Sequence, residues 1–291
     1  MLYSSSFCHR FTIVLSKTYN WKIYKKILVI KTFSKKKNFY IPYLPYGSLN
    51  EKELRYEIQE NKFKNYSFKT LDLNNKLNLF DKDSRVTMRI KNSFSSINNF
   101  WDSLHHKDRN IIRKTEKNNL KEIKCKNNKE LKEFYLILTK SFNNHGTPIP
   151  RFKLFLNLFN EQLCDFYIIK FKHKVIGSFC CFYDNKLSTL LYLNVDNKYK
   201  YLNTADFIVW KFINIYFKKT LLFDLGTCKY LSGNYLFKKK YLSYPIKVIT
   251  ISNKEDNIYS KYKLFIIIWK LLPNFAKLPL SYFISKYIGD Y

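Results

Sequence analysis

Residues 164–195 read CDFYIIKFKHKVIGSFCCFYDNKLSTLLYLNV. Three apolar runs rich in β-branched and aromatic residues are separated only by KFKHK and YDNK. Connections that short join antiparallel neighbours, because a parallel pair needs a crossover of about a dozen residues or more. The stretch therefore commits the middle of the chain to an antiparallel meander and limits what can flank it. Within it, GSFCCFY reads as a buried strand in which Cys180 and Cys181 act as small hydrophobes.

The flanks supply helices and further strands. Before the meander, NKELKEFYLILTKSFNN is amphipathic, and HGTPIPRFKLFLNLFNEQL is a turn followed by a helix. After it, NTADFIVWKFINIYFKK predicts a helix capped by Asn203 or Thr204, TLLFDLG a strand, and YPIKVITIS a closing strand. Earlier, residues 1–45 alternate short apolar runs with lysine and read as strands. Next come a short charged helix capped by Asn50, two strands (YSFKTLDL and SRVTMRI), and a basic helix through FWDSLHHKDRNIIRKTEKNN. Expected boundaries are 1–118, 119–255 and a C-terminal tail, 256–291.

Composition narrows the function. The 291 residues are 46% hydrophobic, enough for a full core, and carry 52 Lys+Arg against 22 Asp+Glu. Part of that +30 charge is the codon usage of an AT-rich genome, since Lys, Asn, Ile, Phe and Tyr are abundant together. The balance still favours polyanions: RNA, diphosphate-linked substrates or anionic lipid. No Cys or His spacing suits a metal, so none is expected, and the cysteine usage fits a reducing cytoplasm. No apolar run is long enough for a signal-peptide core or a spanning helix. The tail run LFIIIWKLLPNF leaves two placements open: at a lipid surface with Lys270 and Lys277 toward headgroups, on the inner membrane face, or packed on the second domain.

Helix, helix, three antiparallel strands, helix, strand, helix, strand is the order of a GNAT-like α/β (α+β) domain. The coenzyme A-dependent members need a glycine-rich pyrophosphate loop at a helix N-terminus. Asp196 to Trp210 contains no glycine, so no cofactor is expected. Beyond the next strand lies DLGTCKYLSGNYLFKKKY, with two of only six glycines and three consecutive lysines.

Several segments together resemble the Fem-type aminoacyl transferases, in particular the FemAB-related branch associated with exosortase and exopolysaccharide loci. Asp224, Gly226, Gly233, Tyr235, Phe237, Lys238 and Pro245 fall in the register of that family's Asp-Phe-Gly-Arg-Ser, Thr-Gly-x-Tyr-x-Phe-Lys and Pro stretch. Upstream, IPYLPYGSLNEKE, WDSLHHKDRNIIRKTEKNNL and HGTPIPRFKLFLNLF are similar to its other segments, as is the tail. Departures include Thr227 for arginine and Cys228 for serine, and threonine cannot make arginine's bidentate phosphate contacts. The resemblance implies tandem GNAT-like halves, an aminoacyl-tRNA donor or another phosphate-bearing one, and an envelope, peptidoglycan or polysaccharide precursor as acceptor. It also places Phe237 and Lys238 at the substrate cleft.

At the residues, Asp224 orients a lysine or caps the turn. Gly226 and Gly233 let backbone N–H groups approach an anion. Lys238 supplies the fixed cation for an oxyanion. Read as a strand, YLFKKKY puts Lys238 and Lys240 on one face and Phe237 and Lys239 on the other. Asp206 is either a general base or an acid favoured by its helix dipole. Arg109, Arg113, Lys114 and Lys117 form a stripe on one helix face suited to phosphates, or simply a solvated surface. Two other readings stand beside the transferase: a coenzyme A-dependent N-acetyltransferase, and a non-catalytic polyanion-binding protein of a polysaccharide locus.

Overall fold

A computed structural model describes residues 1–32, 36–73, 80–253 and 263–287. The chain forms two compact units, each discontinuous in sequence. One comprises Met1, Leu71–Leu138 and Cys164–Val248; the other comprises Leu2–Thr70, Thr139–Leu163 and Ile249–Tyr291. These units do not follow the contiguous expectation of breaks at 118 and 255. The reason is strand pairing between distant segments, to which local composition is blind. Parts of the expected tail (256–262 and 288–291) lie outside the described residues.

In the first unit the meander is as expected: β7 (Asp165–Phe171), β8 (Lys174–Asp184) and β9 (Leu187–Val195) pair antiparallel. β8 is buried continuously from Ile176 to Phe182, as a strand covered on both faces must be. β6 (Lys121–Lys124) joins β7 on one side. On the other, the helix α7 (Thr204–Tyr216) returns the chain so that β10 (Leu222–Lys229) lies parallel to β9. β5 (Arg85–Lys91) pairs antiparallel with β10 and with β11 (Tyr244–Ser252). The core gathers Phe179, Ile208, Phe212 and Phe223. The basic segment predicted as one helix is two, α3 (Ile97–Ser103) and α4 (His106–Lys117), because Leu104 and His105 adopt extended ψ between them. The helix α5 is Asn128–His145.

In the second unit, the strands expected across residues 1–45 are corrected in part. Ser5–Tyr19 is a helix, α1, opened by Ser4 accepting from the Phe7 N–H. Its buried Phe7, Phe11, Val14 and Leu15 recur at helical spacing, which overrides the β-branched content of FTIVLSK. α1 packs on α6 (Phe152–Asn160), with Asn157 Nδ2 donating to Thr18 Oγ1 at 3.0 Å. β1 (Lys22–Tyr24), β2 (Ile27–Lys31) and β3 (Lys36–Tyr40) do form, and β3 runs parallel to β4 (Tyr66–Leu71). Asn50 caps α2 (Glu51–Glu60) through a reciprocal pair with Glu53. The chain continues in α9 (Lys263–Leu271) and α10 (Asn274–Ile284). Among the described residues, no helix is long and apolar enough to cross a membrane.

Gly177 lets α7 pack close to the sheet: a Cβ there would stand 2.9 Å from Thr204 Cγ2. Gly177→Ala is expected to lower stability by about 1–3 kcal/mol. Adding Thr204→Ser, which removes that methyl, should recover most of the loss in a denaturant melt. No recovery would mean the strain lies elsewhere.

Candidate functional site

β10 carries the motif that the sequence singled out. Its parallel pairing with β9 runs from Leu222 to Asp224 and stops. At that point β10 bulges: Leu225 and Gly226 together oppose the single residue Met88 of β5. Gly226 sits at φ +78°, a conformation that favours glycine, and a Cβ there would lie 3.2 Å from the Leu190 carbonyl oxygen. The bulge is held by Asp224, whose Oδ1 accepts from the Gly226 N–H (2.8 Å) and from Thr87 Oγ1 (2.6 Å). Its Oδ2 accepts from Arg89 Nε at 3.1 Å, and both side chains are at most 1% exposed. Asp224 therefore caps the turn, one of the two roles the sequence offered, and its charge pairs with an arginine, not a lysine.

Lys238 reaches the same bulge from a helix. The strand expected for YLFKKKY is corrected: Gly233–Lys239 is a helix, α8, opened by Ser232 accepting from the Tyr235 N–H at 3.2 Å. Helical spacing turns Tyr235 and Lys238 inward, i and i+3, and leaves Lys239 exposed. Lys238 is 8% exposed, and its Nζ donates to the carbonyls of Gly226 (2.9 Å) and Thr227 (3.0 Å). Burial lowers its pKa from the ordinary 10.5 to about 8; Cys228 and Asp224 work against that shift and Arg85 adds to it. Arg85 also donates from Nη2 to Thr227 Oγ1 at 3.3 Å. A guanidinium from β5 thus stands beside the position where the resembled family carries its own arginine.

The other expected residues fall in two groups. Asp206, on α7, accepts from the Tyr241 hydroxyl at 2.9 Å and lies 3.5 Å from Lys240 Nζ. Lys240 also lies over the Phe237 ring, which meets Tyr241 edge-on. Burial holds the Tyr241 hydroxyl well above the ordinary range, and the charges of Asp206 and Asp108 add to it. Phe237 and Lys240 therefore belong with Asp206, while Lys238 belongs with Asp224. Tyr235 is buried edge-on against Tyr230. Gly233 has open space around it and no positive φ, so nothing there requires glycine. On α4, Arg113 lies over Trp101 at 5.4 Å and Arg109 meets Asp102 at 3.4 Å, while Lys114 and Lys117 are exposed. An open groove of about 500 Å³ is lined by Trp101, Glu116, Glu122, Trp210 and Lys211 among others. It shares no residue with the Lys238 cluster. The cluster is the better chemical site, because it holds a buried cation beside a backbone bulge and the groove does not.

The chain shares its fold with FemX. The two structures superpose with a TM-score of 0.59 at 11% identity, over 91% of this chain and 94% of that one. The C-terminal domain of a protein assigned as a lysylphosphatidylglycerol synthetase from Agrobacterium fabrum gives 0.57 at 9% identity, over 90% and 96%. The structure of L-PGS from Bacillus licheniformis gives 0.51 at 10%, over 84% and 85%. The mixed α/β class with largely antiparallel sheet expected from the sequence is the class observed. No family model matches the chain, and no curated protein matches it in sequence.

Sequence reasoning missed Arg89, Thr87 and Arg85, all on SRVTMRI. The available signal was an arginine inside an otherwise apolar strand. It also missed Tyr241 as the partner of Asp206.

Two outcomes test this geometry. Arg89→Met leaves the Asp224 carboxylate buried without its counter-charge and should cost about 3–5 kcal/mol. Combining it with Asp224→Asn, which removes that charge and keeps the acceptor oxygen, should give a protein more stable than the Arg89→Met single. Equal stability of the two would mean the pair is not energetically coupled. For Lys238, a native pKa below the unfolded one means that the unfolded chain binds the proton more tightly. The penalty, of order 3 kcal/mol, is fully present below about pH 8 and fades as pH rises toward 10.5. Relative to Lys238→Met, the wild-type protein should therefore gain stability across that window in paired melts. A flat difference would overturn the buried-ammonium assignment.

Proposed function

We propose that this protein is a Fem-like aminoacyl transferase. It moves an aminoacyl group from an activated ester, the donor being aminoacyl-tRNA, to the amine of a precursor in cell-envelope, peptidoglycan or exopolysaccharide assembly. The observation that carries the proposal is the buried Lys238 ammonium at the β10 bulge, in a chain whose fold matches FemX over 91% of its length. In the reaction the acceptor nitrogen attacks the ester carbonyl carbon. The C–N bond forms, the C–O bond to the ribose breaks, and the proton lost by the amine ends on the departing hydroxyl.

Two of the three Lys238 N–H bonds are engaged by Gly226 and Thr227, so one donor remains for the oxyanion of the tetrahedral intermediate. Arg85 beside Thr227 supplies a second cation for an anionic group of the substrate. The family resemblance assigns Phe237 to the substrate cleft. The Asp206 carboxylate, held by Tyr241 and Lys240, is the candidate acceptor of the amine proton. The exposed Lys114 and Arg113 on α4 suit RNA phosphates. No cofactor is invoked.

A coenzyme A-dependent acetyltransferase is the second reading, and one observation favours it. The N-terminus of α7 has no side-chain cap, because Asn203 is left-handed. Against it, the preceding 3₁₀ turn, Asn197–Leu202, has no glycine to admit a pyrophosphate.

The test is transfer of a radiolabelled aminoacyl group from charged tRNA to an amine acceptor. Lys238→Met should reduce turnover by about 10²–10³, while Lys239→Ala, an exposed change one residue away, should leave it unaltered. Because Lys238 is buried, rates are compared only at a temperature where both variants are fully folded. Saturable stabilisation by acetyl-CoA, about 2.7 kcal/mol at 100 times its Kd, would replace this reading with the second one.

A further inference from the structure

The helices α9 and α10 each expose apolar side chains that nothing in the transfer chemistry uses. On α9, Ile267 and Ile268 are about half exposed and Leu271 is 80% exposed; they stand at i, i+1 and i+4 on one face. On α10, Leu280 and Phe283 are exposed at i and i+3. These are not the loose side chains of a frayed end, because the opposite faces are pinned. Trp269, Ser281 and Ser285 are buried. Arg151 donates twice to the Tyr282 carbonyl, at 3.0 and 2.6 Å. Trp21 Nε1 donates to the Lys286 carbonyl at 2.9 Å.

Lys277 corrects the expectation that it faces headgroups. It is 6% exposed, and its Nζ donates to the Lys270 carbonyl at 3.3 Å, holding α10 to the end of α9. Lys270 itself is exposed, and Lys286 lies over the rings of Phe283 and Tyr287 at 5.0 and 4.8 Å. From Lys263 to Tyr287 there is no acidic residue. Exposed apolar side chains on two helices whose charged residues are all cations fit one partner in charge as well as in hydrophobicity: a bilayer with anionic headgroups.

We propose that α9 and α10 dock the protein on an anionic lipid surface. Ile267, Ile268, Leu271, Leu280 and Phe283 enter the acyl boundary, and Lys270 and Lys286 meet the lipid phosphates. This deepens the reading above by putting the enzyme on the membrane where an envelope precursor resides, and it rests on that reading only for its purpose.

The experiment is co-sedimentation of the full chain with vesicles of phosphatidylcholine, with and without phosphatidylglycerol. Neither donor nor acceptor is present, so the result stands apart from that of the transfer assay. Binding is expected to need phosphatidylglycerol and to weaken with salt. Leu271→Ser should reduce it roughly tenfold and the triple change Ile267→Ser, Leu271→Ser, Phe283→Ser about a hundredfold or more. Lys270→Ala should cost about fivefold. The altered side chains are all exposed, so melting temperatures should hold; if the triple variant unfolds, the Leu271→Ser single decides alone. Undiminished binding of Leu271→Ser would assign lipid affinity to the general basic surface and overturn the proposal. So would a wild-type dimer in sedimentation velocity that Leu271→Ser dissociates, since the face would then belong to a second copy of the chain.

Discussion

Arg89 and Asp224 face each other across β5 and β10, almost wholly withdrawn from water. A buried ion pair contributes little net stability, because desolvation offsets most of the attraction, but breaking one is costly. Its effect here is to fix geometry. Asp224 has one oxygen committed to Arg89 and the other to Thr87 and the Gly226 N–H. The bulge in β10 therefore has a defined shape and place. Without a counter-charge in β5, burying the carboxylate that braces the bulge would carry a large desolvation penalty.

The bulge in turn makes a place for a cation. β10 leaves β9 after Asp224, and two carbonyls at the bend accept from Lys238. Burial makes this lysine easier to deprotonate than an ordinary one, with a pKa of about 8, and leaves it charged at neutral pH. The result is a fixed, poorly hydrated ammonium beside the point where two strands part, the feature on which the proposed transfer chemistry rests. Arg85 brings a further positive group to the same bend. Phe237, Tyr241 and Lys240 gather around Asp206 on α7.

The second unit shows how the same charge balance is used differently. Its last helices keep one lysine inside, as a carbonyl-binding strut, and leave others at the rim of an apolar surface. Net charge alone does not tell these uses apart. Only the neighbours of each ammonium do.

The sequence by itself determined the meander at 164–195, the helix and strand after it, and the Asn50 cap. Each of these rests on local signals such as short turns and apolar periodicity. Tertiary structure decided the rest. SGNYLFKKKY has too few residues to show its period, and the Ser232 cap and the inward turn of Tyr235 made it a helix. α1 needed α6 to cover its apolar stripe before its helical spacing could outweigh the β-branched run FTIVLSK. The partners of the key charges were out of local reach, since Arg89 and Asp224 are 135 residues apart and meet only because β5 and β10 pair. Which lysine is buried, which faces water and which braces a helix depends on long-range burial, and composition carries no record of it.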